Sequence, residues 1–116
     1  MPQIRQRTVL FADLRGSTSL YEKLGNAAAT EVVTRAVAEL GRIVNREQGR
    51  VVKTLGDGLM ALFEAPRQAV AAAEEMHDAL AHLSPAKTSP RAPGLKLQVA
   101  VAHGEVVEMA GDCFGD

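Results

Sequence analysis

At 116 residues the chain is sized for one domain with a single core, and no linker divides 1–116 into two. A formal net charge of −1 offers no basic surface for nucleic acid, and 3% aromatic content without Trp offers no base-stacking platform. The lone Cys113 excludes a disulfide framework or a cysteine-based zinc site, and no apolar run is long enough for a signal peptide or a bilayer span. The expectation is a cytoplasmic globular domain with no membrane contact from this segment.

In chain order, Thr8-Val9-Leu10-Phe11-Ala12 is a continuous apolar run, as in a strand buried on both faces. Ser19 with Glu22 three residues on resembles a capping box that opens a short helix closed by Gly25. Asn26 is placed to cap a second helix, whose apolar face is Val33, Val37, Leu40 and Val44 flanked by Val32, Ala36 and Ile43, and which Gly49 ends. Arg50 to Thr54 and Leu59 to Phe63 are strand-like runs around Leu55-Gly56-Asp57-Gly58, a hairpin signal.

Pro66 suits the first turn of a third helix with a core stripe of Val70, Ala73, Met76, Leu80 and Leu83. Ser84 to Gly94, with three prolines, predicts an exposed loop. Leu95, Leu97, Val99 and Val101 alternate with polar Lys96 and Gln98, and Glu105 to Met109 is expected to pair back onto that strand across Gly104. The resulting order, β-α-α-β-β-α-β-β, indicates an α+β fold with a mostly antiparallel sheet and helices on one face.

Asp13 and Asp57 each stand at a strand-to-turn junction. Singly, each has a structural explanation: Asp-Gly is a strong hairpin signal, and an Asp after a strand commonly caps the next turn. As a pair they acquire chemistry, because Asp13 leads into Gly16-Ser17-Thr18 and a helix whose N–H groups and positive end favour phosphate. Two carboxylates about 4 Å apart repel by roughly 4 kcal/mol at an effective dielectric near 20, so such a pair calls for a cation. Mg²⁺ binds one or two carboxylates together with substrate phosphates. His77 and His82 are five apart on the third helix, not at metal-pair spacing, and His103 has no assigned role.

Phe11-Ala12-Asp13-Leu14-Arg15-Gly16-Ser17-Thr18 and Val52-Lys53-Thr54-Leu55-Gly56-Asp57-Gly58-Leu59-Met60-Ala61 resemble, in order, the two metal motifs of class III nucleotidyl cyclases. Val99 to Val107 is similar to that family's following strand pair, and Gly111 to Asp116 to its next loop, so the resemblance covers nearly the whole chain. It implies a ferredoxin-like βααββαββ sandwich working as a head-to-tail homodimer on ATP, converting it to cyclic AMP and pyrophosphate. It further implies that Asp13, Asp57 and the Leu14 carbonyl hold two Mg²⁺ or Mn²⁺ ions, and that Gly16, Ser17 and Thr18 hold the triphosphate. Lys53 and Asp112 would read the purine from the opposite chain; a lysine donor and a carboxylate acceptor suit adenine, whose exocyclic amine guanine replaces with a carbonyl.

The chain departs from the family pattern in two places. Gln98 aligns where the family usually has a triphosphate-binding arginine, which removes a charge-assisted hydrogen bond. The family's next segment supplies an asparagine and an arginine to the transition state, but this sequence stops at Asp116, inside a family motif. Losing such donors costs about 10²–10³ in rate each, so the expectation is a truncated domain that by itself is a very weak cyclase. The competing expectation is a non-catalytic cyclase homology domain that binds nucleotide or dimerises. A polymerase-palm or diguanylate-cyclase relative would need an acidic pair in the hairpin, where only Asp57 stands between glycines.

Overall fold

A computed structural model describes residues 3–83, 96–109 and 112–115; the loop expected at 84–94 lies outside them. The elements are β1 (Gln3–Arg15), α1 (Ser17–Leu24), α2 (Asn26–Arg46), β2 (Arg50–Thr54), β3 (Gly58–Phe63), α3 (Pro66–Leu83), β4 (Lys96–Met109) and β5 (Asp112–Gly115). The sheet order is β2-β3-β1-β4-β5, with every pairing antiparallel. Its β1-α2-β2-β3-α3-β4 core is the ferredoxin-like arrangement that the motifs implied, with β5 added at one edge.

Period-two alternation along β1 gives the sheet its two faces. Leu10, Ala12 and Leu14 point to the helices, where Leu10 and Ala12 join Leu59, Ala61 and Phe63 of β3 against Leu40, Ile43 and Val44 of α2 and Ala69, Ala72 and Met76 of α3. Leu14 packs with Ala29, Val33, Ala36 and Leu80, so the two larger helices close this side of the sheet. On the opposite face a smaller cluster of Met60, Leu62 and Val106, with Val9 and Val52 against it, covers one end. The other end of that face is open, and Phe11 is 44% exposed there.

Several expectations are corrected. The strand expected at Thr8–Ala12 runs from Gln3 to Arg15 because β4 pairs along its whole length, from Gln3↔Glu108 to Arg15↔Lys96. Glu105–Met109 does not fold back across Gly104. It continues β4 in extended form, and the short β5 pairs with its end, from Val106↔Gly115 to Met109↔Asp112. The Ser19–Glu22 capping box does not open α1, which starts two residues earlier after Gly16, and Asn26 is the first residue of α2 rather than its cap.

The α3 core stripe holds at Met76 and Leu80, but its first two positions are displaced by one, to Ala69 and Ala72. Val70 is 50% exposed, while Ala69, Ala72, Met76 and Leu80 are buried. Two alanines thus face the sheet, and their small side chains allow the helix axis to approach it. Thr8, buried beneath the helices, satisfies its hydroxyl by a hydrogen bond of 2.7 Å to Nδ1 of the exposed His103 on β4.

The end of α2 is tied to α3 through charge. Arg46 Nε lies 3.4 Å from Glu75 Oε1. The other Glu75 oxygen is enclosed without a donor, and its neighbour is a second carboxylate, Glu47; two such groups hydrogen-bond only by sharing a proton. That bond first, then burial and the Glu47 charge, raise the Glu75 carboxyl above its ordinary 4.5, against the opposing effect of Arg46.

Met76→Ala is expected to destabilise the domain by about 2–5 kcal/mol, and Val70→Ala by no more than about 0.5 kcal/mol. Urea-denaturation midpoints distinguish the two, and equal losses would contradict the displaced stripe. Because the folded state holds the Glu75 proton more tightly than the unfolded chain, this stabilisation is complete below pH 4.5 and fades as pH rises through the raised value. Glu75→Gln, which keeps a donor at all pH values, should therefore gain on the wild type in denaturation midpoint as pH rises above 4.5. A pH-independent gap would show that no proton is shared.

Candidate functional site

The site is built where β1 and β3 come unusually close. Asp13 pairs with Gly58 on one side and Gln98 on the other. A Cβ on Gly58 would sit 2.2 Å from the Ala12 carbonyl oxygen, so only glycine allows this approach. One residue earlier, the Leu14 N–H donates to the Asp57 carbonyl at 2.9 Å. The β2–β3 hairpin is closed by the Leu55 N–H donating to the Gly58 carbonyl at 2.9 Å, with Gly56 at φ 70 as the first central residue. Asp57 is the second, so the hairpin tip is stitched onto the end of β1.

The two aspartates are thereby brought to one end of neighbouring strands. The Asp13 side chain is 43% exposed on the open sheet face, and Asp57 is half-buried in the turn. An extended residue directs its N–H and C=O to the same side, so the Leu14 carbonyl faces the Asp57 turn as its N–H does. This end of the sheet thus carries two carboxylates and a main-chain oxygen. Among the described residues no cluster of three or more His, Cys, Asp or Glu exists. Such a hard, incomplete oxygen set suits Mg²⁺ or Mn²⁺ completed by substrate phosphates and water, not a metal caged wholly by protein.

Beyond Arg15 the chain turns at Gly16, in the left-handed region at φ 91, and enters α1 at Ser17. Gly16 has no side chain to cap the helix, and the first turn contains no acidic residue. The positive end of α1 is therefore directed beside Asp13 without internal compensation. Of Ser17 and Thr18 only the backbone is described.

Lys53 reaches the open face through a distortion. The β2–β3 register passes from Val51↔Ala61 to Lys53↔Met60, a bulge at Val52. Regular pairing would set Lys53 opposite Leu59, on the helix side; the extra residue rotates it onto the face of Met60, Phe11 and Asp13. Asp112 is the first residue of β5, paired with Met109, and only its backbone is described. The sheet curls enough to bring β5 within 8 Å of β2, measured between Cα atoms.

Arg15 was not foreseen as a site residue. Its Nε donates to Gln98 Oε1 at 2.8 Å and lies 3.3 Å from Asp13 Oδ2. Asp13 and Arg15 are two apart on one strand, so alternation alone puts them on one face. The part played by Gln98 needed the β1–β4 register. Concavities occur elsewhere: one of about 190 Å³ at the far end of the sheet is lined by Arg7, Gly49 and Arg50, and one of about 370 Å³ lies between α2 and the β2–β3 turn. Neither contains Asp13 or Asp57.

Comparison with known proteins matches this architecture. The family model of the adenylate and guanylate cyclase catalytic domain covers residues 1–112. An adenylate cyclase of Glutamicibacter nicotianae is 30% identical over 109 residues, spanning 94% of this chain and 25% of that protein. The crystal structure of the adenylyl cyclase CyaB from P. aeruginosa superposes with a TM-score of 0.81 at 24% identity, over 92% of this chain and 60% of that one. The guanylyl cyclase Cya2 superposes with a TM-score of 0.76 at 30% identity, over 90% and 57%. The chain spans between about a fifth and a quarter of the length of the curated relatives it matches, 19% and 26% in two of them. Motif order, sheet topology and these matches agree: the chain belongs to the adenylate and guanylate cyclase catalytic domain family.

Proposed function

We propose that this domain acts as an adenylyl cyclase, converting ATP to cyclic AMP and pyrophosphate in signal transduction, with Asp13 and Asp57 holding two Mg²⁺ or Mn²⁺ ions. The observation that carries this reading is the stitch of the Asp57 turn onto β1 at Leu14, made possible by Gly58. This main-chain bond extends the β1–β3 ladder by one pair and so holds the Asp57 turn beside Asp13, as a shared metal site would require.

When bound, the ions would lower the pKa of the ribose 3′-hydroxyl and neutralise the leaving pyrophosphate. The chain's own residues divide the remaining work. Asp13, Asp57 and the Leu14 carbonyl supply hard oxygen ligands. Gly16 and the first N–H groups of α1, including those of the Ser17–Thr18 turn, donate to phosphate oxygens at the positive helix end. Lys53, turned onto the open face by the Val52 bulge, and Asp112 on β5 would read adenine bound at the opposite chain's metal site: the ammonium donates to a ring nitrogen and the carboxylate accepts from the exocyclic amine.

A second copy of the chain, arranged head to tail, would complete the site. The open face bearing Asp13 and the exposed Phe11 has no covering element among the described residues, and a site on an open face excludes water only when something closes over it.

In the full-length protein, Asp13→Asn and Asp57→Asn should each lower Mn²⁺-dependent cyclic AMP formation by about 10²-fold or more, the scale of losing one group aimed at transition-state charge. Activity surviving either change would refute the metal assignment. Gly58→Ala should weaken Mn²⁺-dependent binding of a non-cyclisable ATP analogue in calorimetry and cost about 1–3 kcal/mol of stability by forcing β1 and β3 apart. Undiminished analogue binding by that variant would mean that the close approach does not serve the site.

A further inference from the structure

We infer that Arg15, positioned by Gln98, is a substrate-binding residue that grips the polyphosphate once a metal ion has taken Asp13. The inference rests on the metal reading above and adds to it a cation on β1.

Four side chains share the open face at the ends of β1 and β4: Asp13 opposite Gln98, and Arg15 opposite Lys96. Arginine directly across an antiparallel pair from lysine is unfavourable in isolation, since like charges repel at that separation. Asp13 offsets part of this through its 3.3 Å contact with Arg15 Nε. A divalent ion on Asp13 would consume that compensation and itself repel the guanidinium. The patch would then be strongly cationic, and the anion that arrives with the metal is the polyphosphate.

Gln98 determines what happens to Arg15 at that moment. Its neutral amide oxygen accepts from the same Nε at 2.8 Å, so it can retain the guanidinium when Asp13 is withdrawn. Both contacts use Nε, which leaves the two Nη groups as the planar fork that binds phosphate oxygens in pairs. The next residue, Gly16, begins the turn into the positive end of α1. The fork and the helix N–H groups therefore approach one phosphate position from neighbouring points on the chain. The side chain is 61% exposed, so it can swing without disturbing the core.

The test uses inorganic tripolyphosphate, which has the phosphates without the base, titrated calorimetrically into the full chain with and without Mn²⁺. Arg15→Ala should weaken Mn²⁺-dependent binding by at least about tenfold, the size of one lost charge-assisted bond. Gln98→Ala should weaken it less. Arg15→Lys should recover part of the affinity, because it restores the charge without the fork; a merely structural role would show no such graded recovery. Binding of Mn²⁺ alone should be unchanged or tighter in Arg15→Ala, since a competing cation has been removed. If Arg15→Ala binds tripolyphosphate as well as the wild type while Asp57→Asn does not, the Arg15 assignment is overturned and the metal reading stands. A wild-type chain that binds tripolyphosphate no better with Mn²⁺ than without it overturns the metal reading, and this inference with it.

Discussion

The molecule is organised around one close approach, that of β1 to β3 at Asp13 and Gly58. There a hydrogen atom on Gly58 replaces a Cβ that would overlap the Ala12 carbonyl oxygen. The approach lets the Leu14 N–H reach the Asp57 carbonyl at 2.9 Å. Two residues more than forty positions apart in sequence thereby share one end of the sheet. The metal ligands proposed here depend on that contact, and so does the alignment of the Gly16 turn beside them.

The core holds this end in place. Leu10, Ala12 and Leu14 alternate with the open-face residues Phe11, Asp13 and Arg15, so burying one set under α2 and α3 orients the other outward. Packing and function are thus two faces of one strand, linked by its period of two. The two alanines of α3 that contact the sheet, Ala69 and Ala72, keep the helix close without a large side chain competing for space. Electrostatics then acts on an open surface, where the Asp13, Arg15, Lys96 and Gln98 side chains meet no apolar cover among the described residues.

Much of the fold was legible because its signals are local. Apolar runs marked β1 and β3, the 3.6-residue period marked α2, and Pro66 marked the start of α3. The errors arose where local preference met a longer-range partner. Ser19 and Glu22 form a plausible capping box, but the chain leaves β1 through a left-handed Gly16 and is already helical at Ser17. Gly104 looked like a turn residue, yet β1 supplies an unbroken partner strand and β4 stays extended through it. Asp57-Gly58 does mark the hairpin, although Gly56 takes the positive φ and Gly58 serves the approach to β1.

Residue types and spacing by themselves determined the candidate chemistry: two strand-end carboxylates, a Gly-Ser-Thr turn entering a helix, and the family those motifs belong to. They did so because carboxylates, glycine turns and helix starts have their properties wherever the chain places them. Only the tertiary structure decided which groups act together. The Val52 bulge put Lys53 on the open face, the β1–β4 register put Gln98 against Arg15, and the missing Cβ of Gly58 allowed the Asp57 turn to reach β1. Each of these depends on strand register and on separations of an ångström between distant segments, quantities that no local pattern encodes.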